Sequence, residues 1–334
     1  MNQTKLVILA IESSCDDTAI AIIEDGKIRC NLVAGQQIHE QYGGVVPELA
    51  SRAHQQNIVP LVDVAINQSG ISLQQINAVA FTGGPGLIGS LMVGASFAKG
   101  LALALDVPLI AVHHMEAHIL AHFIDEPKPA FPFLCLTVSG GHTQLVKVAD
   151  YFNHETIGHT IDDAAGEAFD KAAKILGLPY PGGPLIDKYA KQGNPLAFNF
   201  PISHMPDFNY SFSGLKTSFL YFIQKEVAGN PDFIQQHLAD ICASYQHAIV
   251  KQLMKKLIAA AKATGIKHIA LAGGVSANSG LRQTLELEGE KRGWFTYIPA
   301  FEYCTDNAAM IAIAAHYKYL KGEFVDLSAA PFAR

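Results

Sequence analysis

The chain has 334 residues, of which 49% are hydrophobic and 16% are charged, and its formal net charge is -6. A chain of this length buries a large core and folds as one or two domains. The negative charge excludes a protein that coats nucleic acid with its whole surface, although it permits a local basic patch. The five cysteines are scattered and lack CxxC spacing, which is typical of reduced thiols in a cytosolic protein.

The first predicted elements form a β-hairpin. Residues 6–11 are an apolar run that predicts a strand, and no signal peptide is expected because the run is short and lacks a basic segment before it. The polar turn 12–18 leads to a second predicted strand, 19–23. Residues 133–148 repeat this plan around the turn 139–143. The repetition predicts a duplicated α/β lobe.

Two glycine-rich turns each follow an apolar strand and precede a predicted helix. They are residues 82–86 (Thr-Gly-Gly-Pro-Gly) and residues 273–278 (Gly-Gly-Val-Ser-Ala-Asn). Such turns offer free backbone N–H groups and a positive dipole end to an anion, but neither matches the dinucleotide fingerprint or the P-loop. The apolar helix predicted over residues 91–105 contains Lys99 and is too short to span a bilayer, so we expect it to be buried.

A pair of histidines, His114 and His118, lies four positions apart within residues 112–122. On an α-helix both rings face the same side, so they can hold one metal ion and leave coordination positions open for substrate. Two structural histidines of a packed helix are the alternative. A zinc peptidase of the His-Glu-x-x-His type is disfavoured, because Glu116 lies roughly 200° around the helix from His114.

The later part of the chain adds helices and one irregular region. Residues 164–176 predict a helix capped by Asp162 or Asp163, with Asp170 near its end. Residues 194–214 are rich in turns and aromatic residues, and long irregular stretches inside a compact fold are often functional. Two further packed helices are predicted, over residues 238–262 and 307–320.

Several motifs, in chain order, resemble one family over nearly the whole chain. It is the tRNA N6-adenosine threonylcarbamoyltransferase (TsaD) family in its bacterial form, formerly called O-sialoglycoprotein endopeptidase. One departure is Ala117, at a position where glycine is common. The matching stretches are residues 11–18, 43–48, 82–87, 114–118, 138–143, 166–171, 272–278 and 304–307.

The resemblance implies an α/β fold of two ribonuclease H-like lobes, of the actin, sugar-kinase and heat-shock ATPase (ASKHA) type, with the active cleft between them. The first lobe would be residues 1–110 plus about 308–334, and the second lobe residues 111–307. The duplicated hairpins agree with this expectation.

The resemblance also implies a metal site and a substrate site. The metal, iron (Fe2+) or zinc, would bind His114, His118 and Asp306, whose alternative role is the N-cap of the last helix. The substrate would be the adenylate threonylcarbamoyl-AMP. Its expected contacts are Thr137, Val138, Ser139, Gly140, Gly141, Asp170, Gly183, Asp187 and Asn278.

The implied reaction transfers the threonylcarbamoyl group to the N6 amine of the adenosine immediately 3′ of the anticodon, in tRNAs that read codons starting with A, and releases AMP. Glu12, Asp16 and Asp17 are candidates for handling the proton, with turn capping as the alternative role of each. The competing hypotheses are a metallopeptidase and an ASKHA-type ATPase or kinase. The first-lobe turn lacks the glycine that lets a terminal phosphate approach, which disfavours the ATPase.

The expected partners follow from charge and resemblance. A chain of net charge -6 without a long basic run has little means to grip tRNA alone. The family implies a paralogous (TsaB-like) subunit docked helix against helix on the first lobe, a small (TsaE-like) ATPase and an adenylate-forming (TsaC-like) enzyme. The apolar helices around residues 49–65 and 87–105 would carry that dock. A cytoplasmic protein without membrane contact is expected.

Overall fold

The computed structural model describes residues 5–35, 39, 42 and 44–333, so Gly43 of the matching stretches lies outside the described residues. The chain divides into two compact units. Unit 1 is Met1–Lys128 with Ala300–Arg334, and unit 2 is Pro129–Pro299. Residues 111–128 and 300–307 therefore pack with unit 1. The lobe boundaries drawn from the resemblance stay a prediction.

The helices are given in chain order. They are α1 (Pro47–Ser69), α2 (Ile88–Leu105), α3 (His114–Leu120), α4 (Ala165–Ile175), α5 (Gly182–Ala190), α6 (Ser213–Gly229), α7 (Phe233–Thr264), α8 (Ser279–Arg292) and α9 (Ala308–Lys321).

Unit 1 is built on a five-stranded sheet with the order β3-β2-β1-β4-β5. Strand β2 pairs antiparallel with both β1 and β3. Strand β4 pairs parallel with β1, and β5 pairs parallel with β4. The strands are β1 (Val7–Glu12), β2 (Thr18–Glu24), β3 (Lys27–Ala34), β4 (Ala78–Gly84) and β5 (Leu109–His113).

The alternation of side chains along β1 determines what each face of this sheet contacts. Leu9 and Ile11 belong to the core shared with α1 and α2. Ala10 and Glu12 point to the opposite face, because successive strand residues alternate. The buried, alanine-rich helix α9 packs there against β1 and β2. The sheet thus delivers the Glu12 carboxylate to the face that holds α9.

Helix α2 combines a buried face with an exposed one. Among the described helices, it alone has the length and apolar character that would allow a membrane span. Leu91 and Ala98 are buried, so the predicted burial of this helix is confirmed for one face only. The opposite side exposes Ile88 (50%), Met92 (50%) and Leu103 (68%). This apolar outer face has no cover within the described residues.

Unit 2 repeats the sheet topology of unit 1. Its order, β8-β7-β6-β9-β10, corresponds strand by strand to β3-β2-β1-β4-β5, with the same antiparallel and parallel pairings. The predicted duplication and the ribonuclease H-like lobes are confirmed. The strands are β6 (Phe133–Val138), β7 (Thr143–Asp150), β8 (Asn153–His159), β9 (His268–Ala272) and β10 (Phe295–Tyr297).

The predicted cap of α4 is wrong. Its N-cap is Ala164, without a side-chain hydrogen bond. Asp162 instead accepts hydrogen bonds from the hydroxyls of Ser211 and Ser213, so it fastens the chain that enters α6. Asp163 forms ion pairs with lysines of α4 and α6. Both carboxylates are occupied by tertiary contacts that a local pattern cannot reveal.

Candidate functional site

The two histidines and Asp306 converge in unit 1. His114 opens α3 directly after β5, and His118 follows one turn later on the same face. The Asp306 Oδ1 atom lies 3.5 Å from His114 Nε2 and 3.2 Å from His118 Nε2. One ligand atom from each residue lies within 4.8 Å of the others. A metal with bonds of about 2.1 Å holds neighbouring ligands roughly 3.0–3.4 Å apart. The two distances to Asp306 are close to this range, so the group is compatible with one ion.

The position of Asp306 is determined by its neighbour. Asn307, rather than Asp306, is the N-cap of α9, and its side chain accepts a hydrogen bond from Met310 N at 3.0 Å. The Asn307 amide also donates to Thr305 O at 2.8 Å. Asp306 is therefore released from capping, and its side chain is 26% exposed. Part of the carboxylate is therefore accessible to solvent.

Glu12 orients the first histidine. Its buried carboxylate lies 3.1 Å from His114 Nδ1 and accepts hydrogen bonds from the Thr82 hydroxyl at 2.6 Å and from Ser14 N at 2.5 Å. A ring whose Nδ1 donates to a carboxylate presents Nε2 as the metal ligand. Glu12 is thus fully engaged as a positioning residue, and its geometry does not favour a role as a mobile general base.

The electrostatics of this group match the chemistry of a cation site. Burial favours the neutral forms of Glu12, His114 and Asp306, but the attraction between the carboxylates and the histidine rings outweighs this effect. The pKa of Glu12 lies below its ordinary value because of His114, and that of Asp306 is lowered by both histidines. The same carboxylates raise the pKa of His114 well above its ordinary value. The two carboxylates are therefore held in their charged form, and a bound cation would take the place of the proton on His114.

Asp17 differs from the other carboxylates of the first turn. Burial, together with Asp16, Asp306 and Glu12, raises the pKa of Asp17 to about 7. A carboxylate with this pKa takes and gives a proton near neutral pH. The same turn is anchored to α1, since His54 contacts Thr18 Oγ1 at 2.7 Å and Cys15 O at 3.0 Å.

The two expected substrate turns meet in unit 2. Thr137 and Val138 end β6, and Ser139, Gly140 and Gly141 form the turn that follows. Because β6 and β9 are parallel neighbours, the turn after β9 lies beside it. A side chain at Gly273 would lie within 2.5 Å of Val138 O, whereas one at Gly140 or Gly141 would meet nothing within 4 Å. The glycines therefore allow close packing on one side and leave open space on the other.

Asp170 and Gly183 are joined directly. Asp170 Oδ1 accepts hydrogen bonds from Gly182 N at 2.9 Å and from Gly183 N at 3.1 Å. This carboxylate therefore caps the start of α5. Burial raises the pKa of Asp170, although the two backbone bonds oppose the shift. Oxygen Oδ1 of Asp170, a predicted substrate contact, is therefore already hydrogen-bonded within the fold.

Asp187 and Asn278 are joined through Ser279. Asp187 Oδ1 accepts from Ser279 N at 3.1 Å and from the Ser279 hydroxyl at 2.7 Å. Asn278 caps α8 by accepting from Leu281 N at 3.0 Å, and its amide donates to Gln246 of α7 at 2.7 Å. The expected substrate residues thus form one braced group at the carboxyl ends of β6 and β9. Whether they contact the substrate stays a prediction.

Comparison with known proteins identifies the family. Residues 27–313 match the family described as tRNA N6-adenosine threonylcarbamoyltransferase. A curated relative with that name from Cytophaga hutchinsonii is 62% identical over 98% of this chain and 96% of its own. One from Christiangramia forsetii is 60% identical over 100% of this chain and 99% of its own. This chain belongs to the tRNA N6-adenosine threonylcarbamoyltransferase family. The predicted resemblance is confirmed.

Solved structures confirm the fold. HypF from T. kodakarensis matches with a TM-score of 0.63 at 15% identity, over 96% of this chain and 48% of HypF. Component A of the (R)-2-hydroxyglutaryl-CoA dehydratase of Acidaminococcus fermentans matches with a TM-score of 0.54 at 16% identity, over 95% of this chain and 98% of its own. At this identity the likeness shows the fold alone.

Sequence analysis did not single out several residues that support the site. Thr82 and Ser14 hold Glu12, Asn307 frees Asp306, and Gln246 and Ser279 brace the substrate turns. Thr82 precedes a glycine-rich turn. The glycines indicate the turn in the sequence, but they do not indicate that Thr82 contacts Glu12. Gln246 carries no local signal, because it meets Asn278 only after α7 has folded onto α8.

Proposed function

We propose that this protein transfers the threonylcarbamoyl group of threonylcarbamoyl-AMP to the N6 amine of the adenosine 3′-adjacent to the anticodon, in tRNAs reading codons that start with A. The observation that carries the proposal is the His114–His118–Asp306 cluster, found in a chain that is 62% identical to a transferase of this name. Transferase activity on tRNA follows from the family.

The reaction needs two events at the carbamoyl carbon. The N6 amine attacks this carbon, the bond from the carbon to the phosphate oxygen breaks, and AMP leaves with that electron pair. The amine must also lose a proton. Asp17 is our candidate acceptor, because its pKa of about 7 makes the carboxylate both available and basic at neutral pH.

The donor is proposed to bind unit 2. Its phosphate suits the backbone N–H groups around Ser139–Gly141 and around the start of α8, since such turns favour anions. Asp170, Gly183, Asp187 and Asn278 are proposed to contact the adenylate with their remaining polar groups. Asn278→Ala and Asp170→Ala should each weaken AMP binding by about tenfold, the effect of about one hydrogen bond. Unchanged AMP affinity in both variants would remove this pocket.

One divalent ion, iron (Fe2+) or zinc, is proposed for the cluster in unit 1. Two imidazoles and one carboxylate suit both metals, and three protein ligands would leave at least one coordination position for another molecule. When bound, it would polarise and orient oxygens of the donor. The peptidase alternative is not favoured, because Glu116 does not belong to the cluster.

The partners are proposed from charge and from an exposed surface. The outer faces of α1 and α2 expose Val59 (59%), Val64 (41%), Ile88, Met92 and Leu103. Gly89 brings the two helices together, since a side chain there would lie 2.5 Å from Ser51 Oγ. We assign this face to the paralogous subunit, with the small ATPase and the adenylate-forming enzyme as further partners in the cytoplasm.

The test is a transfer assay with purified chain, unmodified tRNA and threonylcarbamoyl-AMP, with and without the partners. We expect one modified adenosine per tRNA, with AMP as the second product. Charge substitutions at Met92 and Leu103 should abolish the gain given by the paralogous subunit but not metal binding, whereas Leu287→Glu on α8, also exposed, is the matched control. Transfer that stays absent with all partners and a loaded metal site would refute the function.

A further inference from the structure

A second concave site lies in unit 2, away from the residues assigned above. The irregular chain of residues 195–204 runs alongside α7 and encloses a cavity of about 670 Å³ against it. Sequence analysis singled out this irregular region, but neither the metal chemistry nor the substrate turns use it. The cavity is lined by the apolar residues Leu196 and Ile202 and is rimmed by cationic side chains.

The outer wall of the cavity is held in place by α7. Phe198 N donates to Ser244 Oγ at 3.1 Å, and Ser203 N donates to Gln252 Oε1 at 3.2 Å. Lys256 Nζ donates to Met205 O and Asp207 O, each at 2.6 Å. These bonds fix an irregular backbone along several turns of the helix. The cavity is therefore preformed, which reduces the ordering cost of binding a ligand.

The rim of the cavity carries cations without counter-charges. Lys251 and Lys255 are exposed one helical turn apart, with His247 one turn earlier on the same stripe and His204 on the facing chain. Lys255 Nζ lies 3.5 Å from His204 Nδ1. Among the described residues, no ion pair involves Lys251 or Lys255, and neither residues 195–206 nor residues 241–264 contain an acidic side chain. We call Lys251 and Lys255, together with the flanking rings of His204 and His247, the cation stripe, and its positive charge comes from the two lysines.

The pKa directions agree with this concentration of charge. Burial and Lys251 lower the pKa of His247, and burial and Lys255 lower the pKa of Lys256, which only Asp207 opposes. Favourable contact with the helix dipole does not account for the stripe, because that effect is confined to the last turn and Lys251 lies well before Thr264. In a chain of net charge -6, an unpaired cationic group of this kind suits an external anion.

We propose that the cation stripe binds the phosphate backbone of the tRNA substrate, with the apolar cavity receiving a base or ribose beside it. This rests on the proposed function. Lysines four apart on a helix lie about 6 Å apart at Cβ, so each reaches its own phosphate along one strand. Grooves that combine cations with apolar surface are typical of proteins that bind single-stranded RNA. Gln246, which holds Asn278, directly precedes His247, so the same helix serves both surfaces.

The experiment measures tRNA affinity as a function of salt, for the full-length chain alone and with the proposed partners. The test variant is Lys251→Gln with Lys255→Gln. The matched control is Lys225→Gln with Lys267→Gln, which removes two exposed lysines of unit 2 outside the cavity. The slope of log K against log salt should become shallower by about 2 in the test variant, one for each lost phosphate contact, and stay unchanged in the control.

A second variant separates charge from shape. Lys251→Arg with Lys255→Arg should retain the wild-type slope, and all variants should keep the wild-type melting temperature because the lysines are exposed. Equal slopes for the test variant and the control would overturn the proposal. It would also be overturned if the wild-type protein bound no tRNA, either alone or with the proposed partners.

The outcomes separate this proposal from the proposed function. If the wild type modifies tRNA while the slopes stay equal, the stripe fails and the proposed function stands. If the slope changes but no product forms, the function fails and the stripe stands.

Discussion

The two units place different chemistry on the same scaffold. In unit 1, β1 ends at Glu12, which contacts His114 of α3, and the turn that follows carries Asp16 and Asp17. In unit 2 the equivalent turn after β6 contains Ser139, Gly140 and Gly141, with open space above the glycines. The strand order and pairing directions are the same. The fold determines where a turn lies, and the residues in it determine whether it suits a cation or an anion.

This contrast has a physical basis. Carboxylates and imidazole nitrogens held close together can bind a cation. Burying the carboxylates has a free-energy cost of desolvation, and a bound ion or proton offsets that cost. Glycine turns leave backbone N–H groups accessible and carry no charge of their own, so they suit a phosphate. The two sites should therefore fail separately, and each prediction below tests that separation.

The largest effect is expected from Asp306→Ala. The variant loses a carboxylate that contacts both histidines, so metal affinity should fall more than a hundredfold and transfer should disappear. Metal content per chain and AMP affinity are measured together, with Glu116→Ala as the control on α3. Stoichiometric metal in Asp306→Ala would contradict the assignment, and lost AMP binding would contradict the separation of the sites.

The next effect is expected from Glu12→Gln. This change keeps the size of the side chain but removes the charge that orients His114, so metal affinity should fall about 10- to 100-fold. Glu24→Gln, at the end of the next strand, is the control. Metal affinity is measured by competition with a chelator. An affinity equal to that of the wild type would show that Glu12 does not act through His114.

The pH dependence of metal binding should be smaller, at about tenfold per pH unit. His114 must lose its proton to become a ligand, and its raised pKa means that the proton is still bound at pH values above its ordinary titration range. Affinity should therefore rise with pH until that pKa is passed. Chelator competition from acid to alkaline pH measures it, and Glu12→Gln should move the break to lower pH. An affinity independent of pH would refute the coupling.

The smallest effect is expected from Asn307→Ala. Loss of the cap should lower the free energy of unfolding by about 1 kcal/mol, because Asn307 satisfies Met310 N at the start of α9. The folded protein should still bind metal, since Asp306 is retained. Urea unfolding with and without chelator measures both quantities. A loss of metal larger than the loss of stability would show that capping and coordination are coupled.

Much of the fold was predictable from sequence because its signals are local. The hairpins 6–23 and 133–148, the glycine turns and the helix with His114 and His118 all follow from the spacing of neighbouring residues, and the structure confirms them. The motifs that carry the family resemblance did the same for Asp306, which lies far from the histidines in sequence. The convergence of His114, His118 and Asp306 is a tertiary contact that the spacing of residues alone could not predict.

The errors and omissions have the opposite origin. Asp162 and Asp163 look like helix caps in sequence, but they bind residues roughly 50 positions away and lysines of α4 and α6. Glu12 was one of three equivalent turn acids, and only its contacts with Thr82 and His114 distinguish it. The cation stripe combines residues of α7 with His204 of the irregular region before it, so no local sequence pattern predicts it. Contacts between remote segments decide these roles.

The division of labour between Asp306 and Asn307 has an evolutionary consequence. Asp306 is assigned to the proposed metal and Asn307 caps α9, so a change at one position is expected to leave the role of the other intact. A lineage that abandons catalysis but keeps this lobe should accumulate changes at the position of Asp306 while retaining an asparagine, serine or threonine beside it.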